Sequence, residues 1–253
     1  MLEVIDLAAG YNGLPVVRDV NITVSGGEIV ALLGANGAGK TTILSTIAGL
    51  VKPIEGSVRL AGEEISGLKP HKLALQGIAL VPEDRSLFLD LTTRENLTVA
   101  APRGAVRKSE DDILQLLPEL KKCLNRKAGL LSGGEQQMLA VGRALVGSPQ
   151  VLIVDEMSLG LAPVVVERLL PVLRDVASTL GAAVLVVEQH VSLALDVAAR
   201  AYVLAHGRIV LEGAAAALRK DQDLIAASYF GDLAAEEQLS ADRTDDDDIE
   251  ATS

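Results

Sequence analysis

The stretch Gly34-Ala35-Asn36-Gly37-Ala38-Gly39-Lys40-Thr41, written GANGAGKT, constrains this chain more than any other. It follows the apolar, β-branched run "GEIVALLG" and precedes the helix-like "TTILSTIAGL", so it is a glycine-rich turn between a buried strand and a helix. Glycines let a backbone wrap an anion with successive N–H groups pointing inward. The helix start adds the positive end of its dipole. Lys40 brings a full charge for the β- and γ-phosphates, and the Thr41 hydroxyl is placed for a magnesium ion. The pattern G-x-x-x-x-G-K-[ST], in this context, predicts a nucleoside triphosphate site running from Gly34 through Thr41 and on to Thr42. A merely structural turn would need neither the Lys-Thr pair nor the strand before it.

A second stretch, "VLIVDEMSLGLAP", places two adjacent carboxylates at the end of another apolar run. Buried carboxylates without a cation are costly, which argues for chemistry rather than architecture. Asp155, closing the strand, is expected on the magnesium side of the phosphate loop. Glu156, one residue on, is displaced from that role and is expected to orient and polarise an attacking water as general base.

Strand patterns in "LEVIDLA", "PVVRDVNITV", "GEIVALLG", "GSVRLAG" and "GIALV" give way near residue 85 to helical periodicity, which persists to about Gly147. Strands then return in "QVLIVD", "AAVLVVE" and "RAYVLAHGRIVLEG", separated by the helix-like "VVVERLLPVLRDVASTL". Alternation of this kind predicts an α/β fold with a largely parallel buried sheet, and the helical stretch predicts a second lobe at about 86–148. Nine acids against Arg243 alone give the segment 232–253 a charge of −8 out of a net −11, leaving the body at −3. That segment is expected to be a disordered tail, and the mildly acidic body argues against nucleic acid as a partner. Cys123 is the single cysteine, which excludes an internal disulfide and favours a reducing compartment. No apolar run reaches the ~18–20 residues of a membrane span, and the N-terminus has no basic signal-like region.

"LSGGEQQ", Leu131 to Gln137, lies upstream of the "VLIVDE" strand and resembles the signature motif of ABC-type ATPases. By itself Ser-Gly-Gly is also a good helix N-cap. The resemblance implies a P-loop NTPase fold of ABC type: a mostly parallel RecA-like core sheet, an N-terminal antiparallel β subdomain and a helical subdomain, together spanning residues 1–231. It implies ATP and Mg²⁺ as cofactors, with Ser132, Gly133 and Gly134 contacting the γ-phosphate held by a second ATPase subunit. Tyr11 matches the aromatic that stacks on adenine. His190 matches the switch histidine that contacts the γ-phosphate and joins Lys40 and Glu156 in catalysis. His71 and His206 match nothing and are expected to be ordinary surface or loop histidines. Glu83, in "LVPEDRS", stands where many members have Gln and becomes a metal or water ligand by position. Ala162 stands where a loop aspartate is usual, and Met157 replaces a proline, which is expected to loosen the turn after the carboxylates.

The set "GANGAGKTT", "VPE", "LSGGEQQMLAVGRAL", "SLGLAP" and "VEQH" is similar to the second ATPase subunit of branched-chain amino-acid importers, the LivF-like group. That likeness covers about residues 2–231. It implies permease subunits as partners, a substrate-binding protein acting indirectly, a sister ATPase in preference to a homodimer, and residence at the cytoplasmic membrane face. A related importer for urea or short amides, a non-transport ABC ATPase and a nucleotide-binding regulator are the competing readings.

Overall fold

A computed structural model describes residues 1–100 and 108–220; the tail expected at 232–253 lies outside them. Two sheets organise the fold. The first is antiparallel, built from β1 (Leu2–Tyr11), β2 (Leu14–Val24), β4 (Pro53–Leu60) and the short β5 (Glu63–Glu64) in the order β2-β1-β4-β5. The alternating burial of β2 shows why: one face meets the core and the other meets water.

The second sheet holds β3 (Ile29–Leu33), β6 (Ile78–Val81), β7 (Val151–Asp155), β8 (Ala183–Glu188), β9 (Arg200–Ala205) and β10 (Arg208–Ala214). Its order is β10-β9-β3-β8-β7-β6, with every pair parallel except the β9–β10 hairpin. Every residue of β3, β7 and β8 is buried, as continuous apolar runs covered on both faces require. This order is what builds the site, because it sets the C-terminal ends of β3, β8, β7 and β6 side by side. Loops leaving those ends converge on one edge, the usual ligand position of an open α/β sheet.

Helices cover the sheets. α1 (Lys40–Ile47) and α2 (Pro70–Leu75) lie between β3 and β6 in the chain, and Gly49 at φ 74 follows the end of α1. Between β6 and β7 the described residues form only helices, turns and one isolated bridge: α3 (Thr93–Ala100), α4 (Glu110–Leu116), 3₁₀ turns at Pro118–Cys123 and Ala128–Leu130, and α5 (Gly133–Val146). This is the helical subdomain, and Ser109 and Ser132 each close a capping box at the starts of α4 and α5. α6 (Pro163–Leu180) ends on Gly181 in the left-handed conformation, and α7 (Val191–Val197) and α8 (Ala215–Leu218) complete the fold.

One apolar cluster joins α5 and α6 to the core sheet, and a second fills the space between the two sheets and α1. Met157 is fully buried in the first of these. Its side chain therefore anchors the turn that sequence reasoning expected it to loosen.

Candidate functional site

The chain leaves β3 at Leu33 and wraps through Gly34–Gly39 before α1 begins at Lys40. Gly39 has φ 108, and a Cβ there would lie 2.4 Å from Val17 Cγ1, so the turn admits only glycine at this point. Lys40 is 5% exposed. Its Nζ donates to Gly34 O at 2.7 Å and Ala35 O at 3.1 Å, and lies 3.5 Å from Glu156 Oε1. Thr41 is exposed on the first turn of α1, while Thr42 is buried beneath it.

Asp155 ends β7 with 7% exposure. Burial pushes its pKa from 3.8 to about 6, Glu156 and Glu83 push the same way, and Lys40 opposes them. A carboxyl group so placed is short of positive charge. Glu156 then departs from strand geometry, with φ 41, while its N–H still donates to Val187 O at 2.9 Å. Both its carboxylate oxygens accept from Gln189 Nε2, at 2.9 and 2.8 Å.

Asn36, Gly37, Gly39, Lys40, Thr41, Thr42, Glu83 and Glu156 line one open pocket of ≈ 340 Å³, together with Val16, Leu159 and Gln189. Residues distant in sequence thus meet around one open space, with ammonium, hydroxyl and carboxylate groups on its walls. Ala35 and Ala38 line a neighbouring hollow with His206, whose turn also donates from Gly207 N to Ala38 O at 3.1 Å. His206 is thus a loop histidine as expected, and one that sits beside the phosphate loop. Among the described residues no group of three or more His, Cys, Asp and Glu forms a metal cage. A magnesium ion here would draw its remaining ligands from phosphate and water.

Other expected residues stand apart from this pocket. Tyr11 ends β1, half exposed. Ser132 is exposed and caps α5, its Oγ accepting from Glu135 N at 3.3 Å. Gly133 and Gly134 open that helix, and a Cβ on Gly134 would meet Val165 Cγ1 at 2.6 Å. His190 precedes α7, its side chain 68% exposed, with Nδ1 3.1 Å from Ser158 Oγ.

Four contributors escaped sequence reasoning. Gln189 and Glu188 sit in "VEQH", where a charged residue ending a wholly buried strand was the available signal. Ser158 joins Glu188 through its backbone N–H and its hydroxyl. Arg85 reaches from the Glu83 loop to Gln137 Oε1 at 2.9 Å and Gln136 Oε1 at 3.1 Å on α5. It therefore ties the loop after β6 to the helix that begins at the signature.

Comparison with known proteins places the chain in a family. Residues 17–158 match the family model described as "ABC transporter". The chain is 42% identical over 221 residues to the high-affinity branched-chain amino acid transport ATP-binding protein BraG of Pseudomonas aeruginosa, covering 86% of this chain and 94% of that one. It is 39% identical to an Archaeoglobus fulgidus protein named "Probable branched-chain amino acid transport ATP-binding protein LivF", with coverages of 85% and 92%. The lipopolysaccharide export system ATP-binding protein LptB of Escherichia coli is 35% identical, at 86% and 92%. Among solved structures, a dimeric post-hydrolysis ATP-binding cassette bound to ADP and Pi superposes with TM-score 0.74 at 26% identity, covering 85% of this chain and 99% of that one. The phosphate loop, the carboxylate pair and the signature helix, on a fold shared with these cassettes, make this chain a member of the ABC transporter ATPase family, an ATP-hydrolysing cassette.

Proposed function

We propose that this cassette powers an importer of branched-chain amino acids, hydrolysing ATP at an interface with a second ATPase subunit at the cytoplasmic membrane face. The observation that carries the reading is the similarity to BraG at 42% identity, above the 35% shared with LptB. No helix among the described residues is long and apolar enough to cross a membrane, so uptake requires permease partners. A groove of ≈ 240 Å³ between β6, α2 and α5, lined by Ala79, Val81 and Ala140 and by Arg85 and Arg143, offers such a partner a mixed apolar and basic seat beside the helical subdomain. The second ATPase is a sister subunit in preference to a second copy, as the likeness to the LivF-like group implies.

In the site, Lys40 and the loop N–H groups hold the β- and γ-phosphates, and Tyr11 stacks on adenine. Asp155, Thr41 and Glu83 fit a magnesium ion, whose charge answers the raised pKa of Asp155. The ion supplies charge neutralisation on the phosphates when bound. Glu156 takes the proton of the attacking water, while His190, with Ser132, Gly133 and Gly134 of the partner ATPase, meets the γ-phosphate. Reconstitution with permeases, sister ATPase and binding protein tests the assignment. Leucine, isoleucine or valine should stimulate ATP hydrolysis; stimulation by urea, or by lipopolysaccharide in an export assembly, would refute the substrate class.

A further inference from the structure

The hydroxyl of Ser158 has one proton and two claimants. Ser158 Oγ lies 2.8 Å from Glu188 Oε2 and 3.1 Å from His190 Nδ1, while Ser158 N donates to Glu188 Oε1 at 2.9 Å. Glu188 is 1% exposed and ends β8. An ionised carboxylate only accepts, so both of its oxygens are satisfied by Ser158, one by N–H and one by O–H. With its proton committed to Glu188, Ser158 Oγ meets the histidine as an acceptor. Nδ1 must then carry a hydrogen to complete the contact.

We propose that Ser158 and Glu188 are positioning residues that hold neutral His190 as its Nδ1–H tautomer, leaving the Nε2 lone pair directed away from the pair. An imidazole so held accepts a hydrogen bond from water at Nε2, and donates there to a phosphate oxygen only as imidazolium. The consequence for turnover rests on the proposed role of His190, but the tautomer does not. The rival arrangement puts the proton on Glu188, turns the hydroxyl toward Nδ1 and yields the Nε2–H form. Burial first, and then Glu156, raise the Glu188 pKa above the ordinary carboxylate value, against the two Ser158 hydrogen bonds and His190, which lower it; the preference for an ionised Glu188 therefore rests on the two Ser158 donors aimed at its oxygens. Besides Glu188, whose Oε2 is 3.9 Å from His190 Nδ1, Glu156 is the other carboxylate acting on this pair.

The test is ¹⁵N NMR of the full chain, labelled at histidine, without nucleotide and above the pH at which the ring is protonated. His71→Asn and His206→Asn identify the His190 signals. The wild type should show a protonated Nδ1 and a bare Nε2. Glu188→Gln keeps the Oε1 acceptor and turns an amide donor on Ser158 Oγ. The hydroxyl must then donate to Nδ1, and the majority tautomer should switch to Nε2–H. Ser158→Ala removes the acceptor altogether, and the Nδ1–H preference should vanish. A wild-type ring protonated at Nε2, or a tautomer unmoved by both substitutions, would overturn the proposal. Hydrolysis is not read in this measurement, so its outcome is separate from that of the transport assay.

Discussion

Asp155→Asn should make the nucleotide-free protein more stable, and increasingly so as pH rises. The carboxyl is 7% exposed, and its pKa lies at about 6 against an ordinary 3.8. A difference of that size corresponds to about 3 kcal/mol, at 1.36 kcal/mol per tenfold change in proton affinity. The sign follows from which state releases its proton first. Below 3.8 the group is protonated in both states and contributes nothing against folding. Between 3.8 and about 6 the unfolded chain ionises while the native one does not, so native stability falls as pH rises. Above about 6 the full cost is present. Asparagine removes that cost, and its advantage should grow from roughly 1.5 kcal/mol at about pH 5 to about 3 kcal/mol near pH 8. For a chain of this size that is on the order of 6–12 °C in Tm at the upper end. Thermal melts of both proteins across this range, with chelator and without nucleotide, give the comparison. Adding ATP and magnesium should reverse the order, because the ion rewards the charge that burial penalises. An advantage independent of pH, or a variant less stable than the wild type near pH 8, would refute the reasoning.

Gln189→Met removes the amide that holds both Glu156 oxygens while roughly preserving volume. The lost charge-assisted contact, about 1.5–3 kcal/mol, should lower kcat about 10- to 150-fold with ATP affinity little changed, as read by phosphate release and nucleotide titration. Gly134→Ala forces a methyl against Val165 and should lower stability by about 1–3 kcal/mol in denaturant melts. The double variant with Val165→Ala should recover most of that loss. Glu83→Gln should retain substantial turnover, since an amide oxygen can stand in for the carboxylate toward the magnesium ion or its water; complete loss of activity would mean that the negative charge itself is required.

The core sheet was readable because its strands are buried on both faces, so "VLIVD" and "AAVLVVE" are nearly unbroken apolar runs. The phosphate loop was readable because Lys40 and Thr41 have no structural reason to follow such glycines. What stayed hidden depends on strand order. Nothing local to "VEQH" says that β8 lies beside β7, and only that adjacency puts Gln189 against Glu156 and Glu188 against Ser158. Met157 misled for a similar reason. A proline-to-methionine change at a turn suggests slack, but the side chain found a fully buried seat in the core and became an anchor. Arg85 was invisible because its partners on α5 lie about fifty positions further along the chain.

Lys40 carries three N–H groups, and all three have an acceptor within reach: Gly34 O, Ala35 O and Glu156. Only the last of these is an anion. In the proposed mechanism an incoming γ-phosphate would enter by exchange, displacing one negative group from the ammonium and installing another at nearly constant local charge. The group it evicts is the proposed base. Without a triphosphate Glu156 Oε1 lies 3.5 Å from the ammonium; in the proposed mechanism a bound triphosphate would take that place. In that mechanism the lysine would be a latch on the proposed base as well as a grip on the nucleotide.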